Sequence, residues 1–223
     1  MNLSRRICAE ALGSVLLTAT VVGSGVMAER LSGGNVAIAL LANAVATVAV
    51  LGVLITLLAP VSGAHFNPIV SLVMALRRQL SWSDAGACVL AQVVGCCAGT
   101  FLAHALFELP ILQASVHARS GPAQWLAEFV ASFGLLLVIL GRRGEQHLGW
   151  LVAAWIGAAY WFTASTSFAN PAITIARSLS NTFAGIRPGD VFAFTVAQLL
   201  GALAALLVAS RLFRAEPARG TSG

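Results

Sequence analysis

The sequence predicts an all-α membrane protein in which six transmembrane helices and two re-entrant half-helices form an inverted repeat. Three observations carry this expectation. First, the 223 residues are 58% hydrophobic and 9% charged, where soluble domains carry about a quarter charged. Second, six apolar runs are long enough to cross a hydrocarbon core of ~30 Å, while two further segments are not. Third, short motifs recur in the same order in the two halves of the chain.

The predicted spans run from Ile7 to Ala28, Val36 to Ala59, Ala85 to Leu106, Gln124 to Leu140, Leu148 to Thr166 and Val191 to Leu212. With Arg5 and Arg6 ahead of it, the first run resembles a secretory leader. It is longer than the roughly 7 to 15 apolar residues of such a leader and contains Glu10, so it reads as a retained helix. Cys8, Cys88, Cys96 and Cys97 lie in or at the edges of spans, where cysteine acts as a small hydrophobe. Their spacing suggests neither a disulfide framework nor a metal site.

All thirteen basic residues are arginine, and they divide unevenly between the two sides of a six-span chain. Arg5, Arg6, Arg77, Arg78, Arg142, Arg143, Arg211, Arg214 and Arg219 fall on one side; Arg30, Arg119, Arg177 and Arg187 fall on the other. The positive-inside rule then puts both termini in the cytoplasm. The net charge of +5 is spread over short loops rather than gathered in a stripe, which argues against a nucleic-acid partner.

The repeat is legible in three pairs of motifs. "AEALGS" (Ala9 to Ser14) returns as "AEFVAS" (Ala127 to Ser132), "FNPIV" (Phe66 to Val70) as "ANPAI" (Ala169 to Ile173), and "AQVVG" (Ala91 to Gly95) as "AQLLG" (Ala197 to Gly201). The copies occupy about 1–110 and 120–214 of a single channel domain, 1–223, with 215–223 as a short cytoplasmic tail. Three spans per copy is an odd number, so the two halves must face opposite ways in the membrane.

Asparagine favours the N-cap and proline the first helical position, so Asn67-Pro68 and Asn170-Pro171 each start a helix. The spacing predicts half-helices from Pro68 to Arg78 and from Pro171 to Asn181, each ~16 Å long and about half the core. Entering from opposite faces, they would meet near the midplane. Pro68, Ile69, Pro171 and Ala172 would then surround the two asparagines at the pore centre. Non-helical backbone at that depth is tolerated only where it is buried or lines a wet cavity. The carbonyls of Gly63, Ala64, His65 and Phe168 therefore read as pore-lining. The positive half-helix ends and the asparagine amides would repel cations and hydrogen-bond neutral solutes.

Through these residues, together with Glu10, Glu128, Gln92 and Gln198, the chain resembles the aquaporin (major intrinsic protein) superfamily over essentially its whole length. That resemblance implies the aquaporin fold and a passive channel, usually a homotetramer with one pore per subunit, with no enzyme activity, cofactor or metal. It also implies an outer filter of four positions, which spacing carries onto Thr47, Ala158, Ser167 and Ile173. The family normally has arginine directly after the second Asn-Pro-Ala; here the sequence reads "NPAITIAR". The inferred ring is wide and uncharged, with Arg177 one turn further out in the vestibule. Ile69 replaces the alanine of the first motif and is expected to crowd the midplane. Thr174 stands where glycerol channels have aspartate. The pattern is most similar to a bacterial aquaglyceroporin-like subgroup associated with arsenic resistance, which implies a bacterial inner (plasma) membrane.

Glu10 and Glu128 are intramembrane acids and so candidates for proton relays. The resemblance implies instead that they support the re-entrant backbone, as Gln92 and Gln198 would. His65 is either a pH gate or a holder of the loop. Gly95 and Gly99, and Gly201 and Ala205, read as helix packing where the third and sixth spans cross. Trp125, Trp150, Trp155, Tyr160 and Trp161 read as an interfacial belt.

Three functions remain open at this level. One is a passive channel for small uncharged solutes: neutral metalloid hydroxides such as arsenite, glycerol-like polyols, and water. The others are an ion-coupled secondary transporter and a non-conducting membrane scaffold.

Overall fold

The structure, a computed structural model, describes residues 2–142 and 147–213. Arg143, Arg214, Arg219 and the expected tail 215–223 lie outside the described residues. The helices are α1 (Leu3–Leu31), α2 (Val36–Ser62), α3 (Pro68–Leu76), α4 (Trp82–Leu106), α5 (Pro122–Gly141), α6 (Leu148–Phe162), α7 (Pro171–Arg177) and α8 (Val191–Leu212). Five of them are long and apolar enough to cross a membrane, and α6 is a shorter apolar helix of 15 residues. It covers ~22 Å. The expected continuation to Thr166 fails because Thr163 turns extended (φ −111°, ψ 136°) to begin the second re-entrant loop.

Both half-helices are shorter than expected, at nine and seven residues. The first ends because Arg78 takes a left-handed conformation (φ 58°). Its N–H donates to Ala75 O at 2.9 Å and that of Gln79 to Met74 O at 2.9 Å, which is a Schellman stop. The second ends because the Arg177 carbonyl is taken by the N–H of Ser180 at 3.3 Å and of Ile186 at 3.4 Å, folding the chain back into the loop that follows.

The packing obeys the repeat. In the first half α1 lies against α2 and α4; in the second α5 lies against α6 and α8; α2 meets α6 between the halves. The half-helices α3 and α7 each touch both α4 and α8. The small residues therefore act differently from the expected contact of the third span with the sixth. A Cβ on Gly99 would stand 3.0 Å from Ala19 N, and one on Gly201 would stand 3.1 Å from Phe133 N. Glycine thus seats α4 on α1 and α8 on α5.

Candidate functional site

Each re-entrant loop hangs from a buried carboxylate. Glu10 accepts from the N–H of His65 at 3.0 Å, the N–H of Phe66 at 2.7 Å, the Ser62 hydroxyl at 2.6 Å and Gln92 Nε2 at 2.7 Å. Glu128 accepts from the N–H of Phe168 and of Ala169, both at 2.8 Å, and from Gln198 Nε2 at 2.5 Å. Each glutamine also reaches the half-helix, donating at 2.9 Å to Ser71 Oγ in one repeat and to Thr174 Oγ1 in the other. His65 Nδ1 lies 3.0 Å from Ser71 Oγ, which ties its ring to the start of α3.

These anchors account for the shape of the loops. Ala64 (φ 50°) and Phe66 (φ 48°) are left-handed, as are Ser167 (φ 53°) and Ala169 (φ 47°), at the same offsets before each asparagine. Four non-glycine residues in this sparsely populated region require surroundings that over-determine them, and the two carboxylates supply that. With their N–H groups turned toward Glu10 and Glu128, the loops present Gly63, Ala64, His65, Ser167 and Phe168 to a common cavity.

The asparagines close the centre. Asn67 Oδ1 accepts from Ile69 N at 3.2 Å, and Asn170 Oδ1 from Ala172 N at 3.0 Å, capping α3 and α7. Asn67 Nδ2 then donates to Ala169 O at 2.8 Å, and Asn170 Nδ2 to Phe66 O at 2.7 Å. An amide has two N–H donors. One of each is spent on the opposite loop; both asparagines also line the cavity.

The cavity measures about 420 Å³ and runs from Arg6 and Arg142 at one mouth, past the asparagine pair, to Arg177. Its long walls are i, i+4 stripes: Thr47, Leu51, Ile55 and Ala59 on α2, and Leu148, Val152, Ile156 and Tyr160 on α6. Thr47, Ser167 and Ile173 line it. Ala158 does not: two residues off the α6 stripe, it is rotated to the exposed side of the helix. Tyr160 stands in its place, with its hydroxyl 3.2 Å from Thr47 Oγ1. The Ser167 hydroxyl is buried without a partner among the described residues.

Other expectations change here too. Ile69 is fully buried in the packed core and is not part of the lining, nor are Pro68, Pro171 and Ala172; Val70 faces the lumen. Tyr160 is a wall residue rather than part of an interfacial belt. Trp155 lies between α5 and α6, donating Nε1–H to Ala131 O at 2.9 Å, whereas Trp125, Trp150 and Trp161 are exposed. Tyr160 had a sequence signal: it is the only tyrosine, it lies inside an apolar run, and a buried tyrosine hydroxyl needs a partner.

Comparison with known proteins adds to this geometry. Residues 1–164 match the family described as Major intrinsic protein. The chain is 56% identical over 220 residues to aquaglyceroporin AqpS from Rhizobium meliloti (strain 1021), covering 98% of this chain and 93% of that one. It is 26% identical over 214 residues to aquaporin NIP6-1 from Arabidopsis thaliana, covering 91% and 67%. The X-ray structure of the aquaglyceroporin from Plasmodium falciparum has the same fold, with a TM-score of 0.69 at 18% identity over 95% of this chain and 97% of that one.

Proposed function

Because this chain belongs to the major intrinsic protein family, we propose that it passes glycerol-sized polyols and neutral metalloid hydroxides, with water, through an aperture of Thr47, Tyr160, Ser167 and Ile173. It is a passive channel for small uncharged solutes and not an enzyme. The finer substrate reading rests on one observation above all: the side chain at the head of α7 that lines the aperture is Ile173, not a cation. A guanidinium there would narrow the opening and fill it with donors. An isoleucine leaves the aperture without that fork of donors, with the Tyr160 hydroxyl beside Thr47 for solute oxygens and the aliphatic stripes of α2 and α6 for a carbon skeleton. The similar Rhizobium protein is called an aquaglyceroporin, in agreement with this reading.

The supporting carboxylates leave no room for ion coupling. Glu10 and Glu128 are fully buried and each accepts several hydrogen bonds from its loop, so neither is free to carry a coupling proton. The decisive measurement is stopped-flow volume change of proteoliposomes in separate gradients of sucrose, glycerol and arsenous acid. Glycerol and arsenous acid should both equilibrate faster than in empty vesicles; a response to water alone would sink the proposal.

We also infer that both termini are cytoplasmic, in a bacterial plasma membrane, and that the chain assembles as a homotetramer. Among the described residues Arg5, Arg6, Arg77, Arg78, Arg142 and Arg211 share the face where α1 begins, which supports the orientation. Cysteines introduced at residues 77 and 119 should label from opposite sides. The tetramer rests on the family resemblance, and a monomer in native mass spectrometry would contradict it.

A further inference from the structure

We propose that this channel has separated the two tasks of a filter arginine: Ile173 and its neighbours set the width, while Arg177, one helical turn outward, rejects cations. The inference rests on the channel reading above and names a residue that reading does not use.

Arg177 is only 2% exposed, yet it lines the cavity. Its Nε donates to Ala184 O, and its guanidinium carbon lies 3.4 Å from the centre of the Phe168 ring, stacked on the ring face. The terminal nitrogens Nη1 and Nη2 have no partner in the protein among the described residues, and the guanidinium forms no ion pair there. A buried cation without a carboxylate is costly, and an ionisable group inside a membrane protein faces a pathway or a partner. Among the described residues, the space those two nitrogens meet is the lumen that Arg177 lines.

The group is also held in position. Phe168 is fixed edge-on by Phe194, with ring centres 5.3 Å apart. A second guanidinium, that of Arg119, lies 5.0 Å from the same ring. Arg119 does not line the cavity; its guanidinium donates to the carbonyls of Gly185 at 2.8 Å and Ser165 at 3.2 Å and forms no ion pair among the described residues, while its backbone N–H donates to Asp190 Oδ2 at 2.8 Å. A planar guanidinium stacked on an aromatic face keeps its orientation better than an ammonium would, so Arg177 presents a fixed positive charge to the outer end of the cavity. Four residues separate Arg177 from Ile173, about 6 Å along the helix. A cation would therefore meet the charge before the aperture, while a neutral solute meets no such electrostatic barrier.

Urea and guanidinium ion test this, being matched in size and differing in charge. In proteoliposomes of the intact protein, urea should pass readily and guanidinium at no more than about a tenth of its rate. Arg177→Gln should raise guanidinium and sodium entry on the order of tenfold, the scale expected when a unit charge a few ångströms away is removed from a wet channel. Urea and glycerol fluxes should stay within about twofold. Arg177→Lys should keep cations out. Arg177→Met serves as a second neutral variant where the glutamine fails to insert. Wild-type vesicles that pass guanidinium as fast as urea would overturn the proposal without any variant, as would a neutral variant that conducts urea and still excludes cations. Wild-type vesicles that pass neither glycerol nor urea would instead overturn the channel reading on which it rests.

Discussion

Asn67 and Asn170 hold each other's loops: the amide of Asn67 donates to the carbonyl before Asn170 at 2.8 Å, and the amide of Asn170 to the carbonyl before Asn67 at 2.7 Å. The two half-helices are thus latched through side chains that also cap them. Asn67→Asp replaces the donor with a carboxylate facing the Ala169 carbonyl. We predict a loss of about 1–3 kcal/mol, the scale of an unsatisfied buried group, read as a lower unfolding temperature in detergent. An unchanged melting curve would show that the latch contributes little.

Ile173→Arg restores a guanidinium at the aperture. Glycerol flux should fall at least about tenfold and water flux by less than about threefold, since a fork of donors obstructs a polyol more than a water molecule. Equal loss of both fluxes would mean blockage or misfolding. An unchanged glycerol flux would put the narrowest point elsewhere.

Tyr160 and Ala158 give a paired prediction, because the first lines the cavity and the second faces outward. Tyr160→Ala should admit larger polyols, such as a five-carbon one, that the parent excludes. Ala158→Phe should leave every flux within about twofold. Solute-exclusion series on the two variants check this, and the reverse result would return the filter to Ala158.

Replacing either buried carboxylate should loosen one loop. Glu10→Gln turns one acceptor oxygen into a donor among groups that all donate to it. A destabilisation of about 2 kcal/mol or more is expected, with slower glycerol flux in whatever protein inserts. A stable Glu10→Gln channel with altered proton leak and normal flux would instead favour a proton relay.

Gly13 and Phe66 form a size-matched pair: a Cβ on Gly13 would stand 2.7 Å from Phe66 Cδ1, and the ring is buried. The corresponding pair in the second repeat is Ala131 with Ala169, so volume has been traded between helix and loop. Gly13→Ala should cost about 1–3 kcal/mol through overpacking. Gly13→Ala with Phe66→Ala, which copies the second repeat, should recover part of that loss in thermal unfolding; additive losses would refute the coupling.

Six apolar stretches, the inverted repeat and the starts of the half-helices were legible in the sequence, though not where the fifth stretch and the half-helices end. Apolar length, motif order and the capping chemistry of Asn-Pro are local properties, and a bilayer leaves few alternatives for them. The same spacing brought Glu10, Glu128, Gln92, Gln198, Asn67 and Asn170 into view as one constellation. Rotation about a helix axis was different. Ala158 and Tyr160 lie two residues apart in a helix apolar on all sides, so hydrophobic periodicity carries no sign of which faces the lumen, and the Tyr160 hydroxyl was the one hint. Only the packing of α6 against α2 and α5 decided it, by fixing the stripe Leu148, Val152, Ile156 and Tyr160. Ile69 and Val70 were settled in the same way, by which side of α3 meets its neighbours. The partners of Arg177 come from residues that precede and follow it in loops, Phe168 and Ala184. The spacing of "NPAITIAR" puts its arginine one turn outward on the face of Ile173, but nothing in it says that the side chain is buried and stacked, because the loop that encloses it closes only in three dimensions.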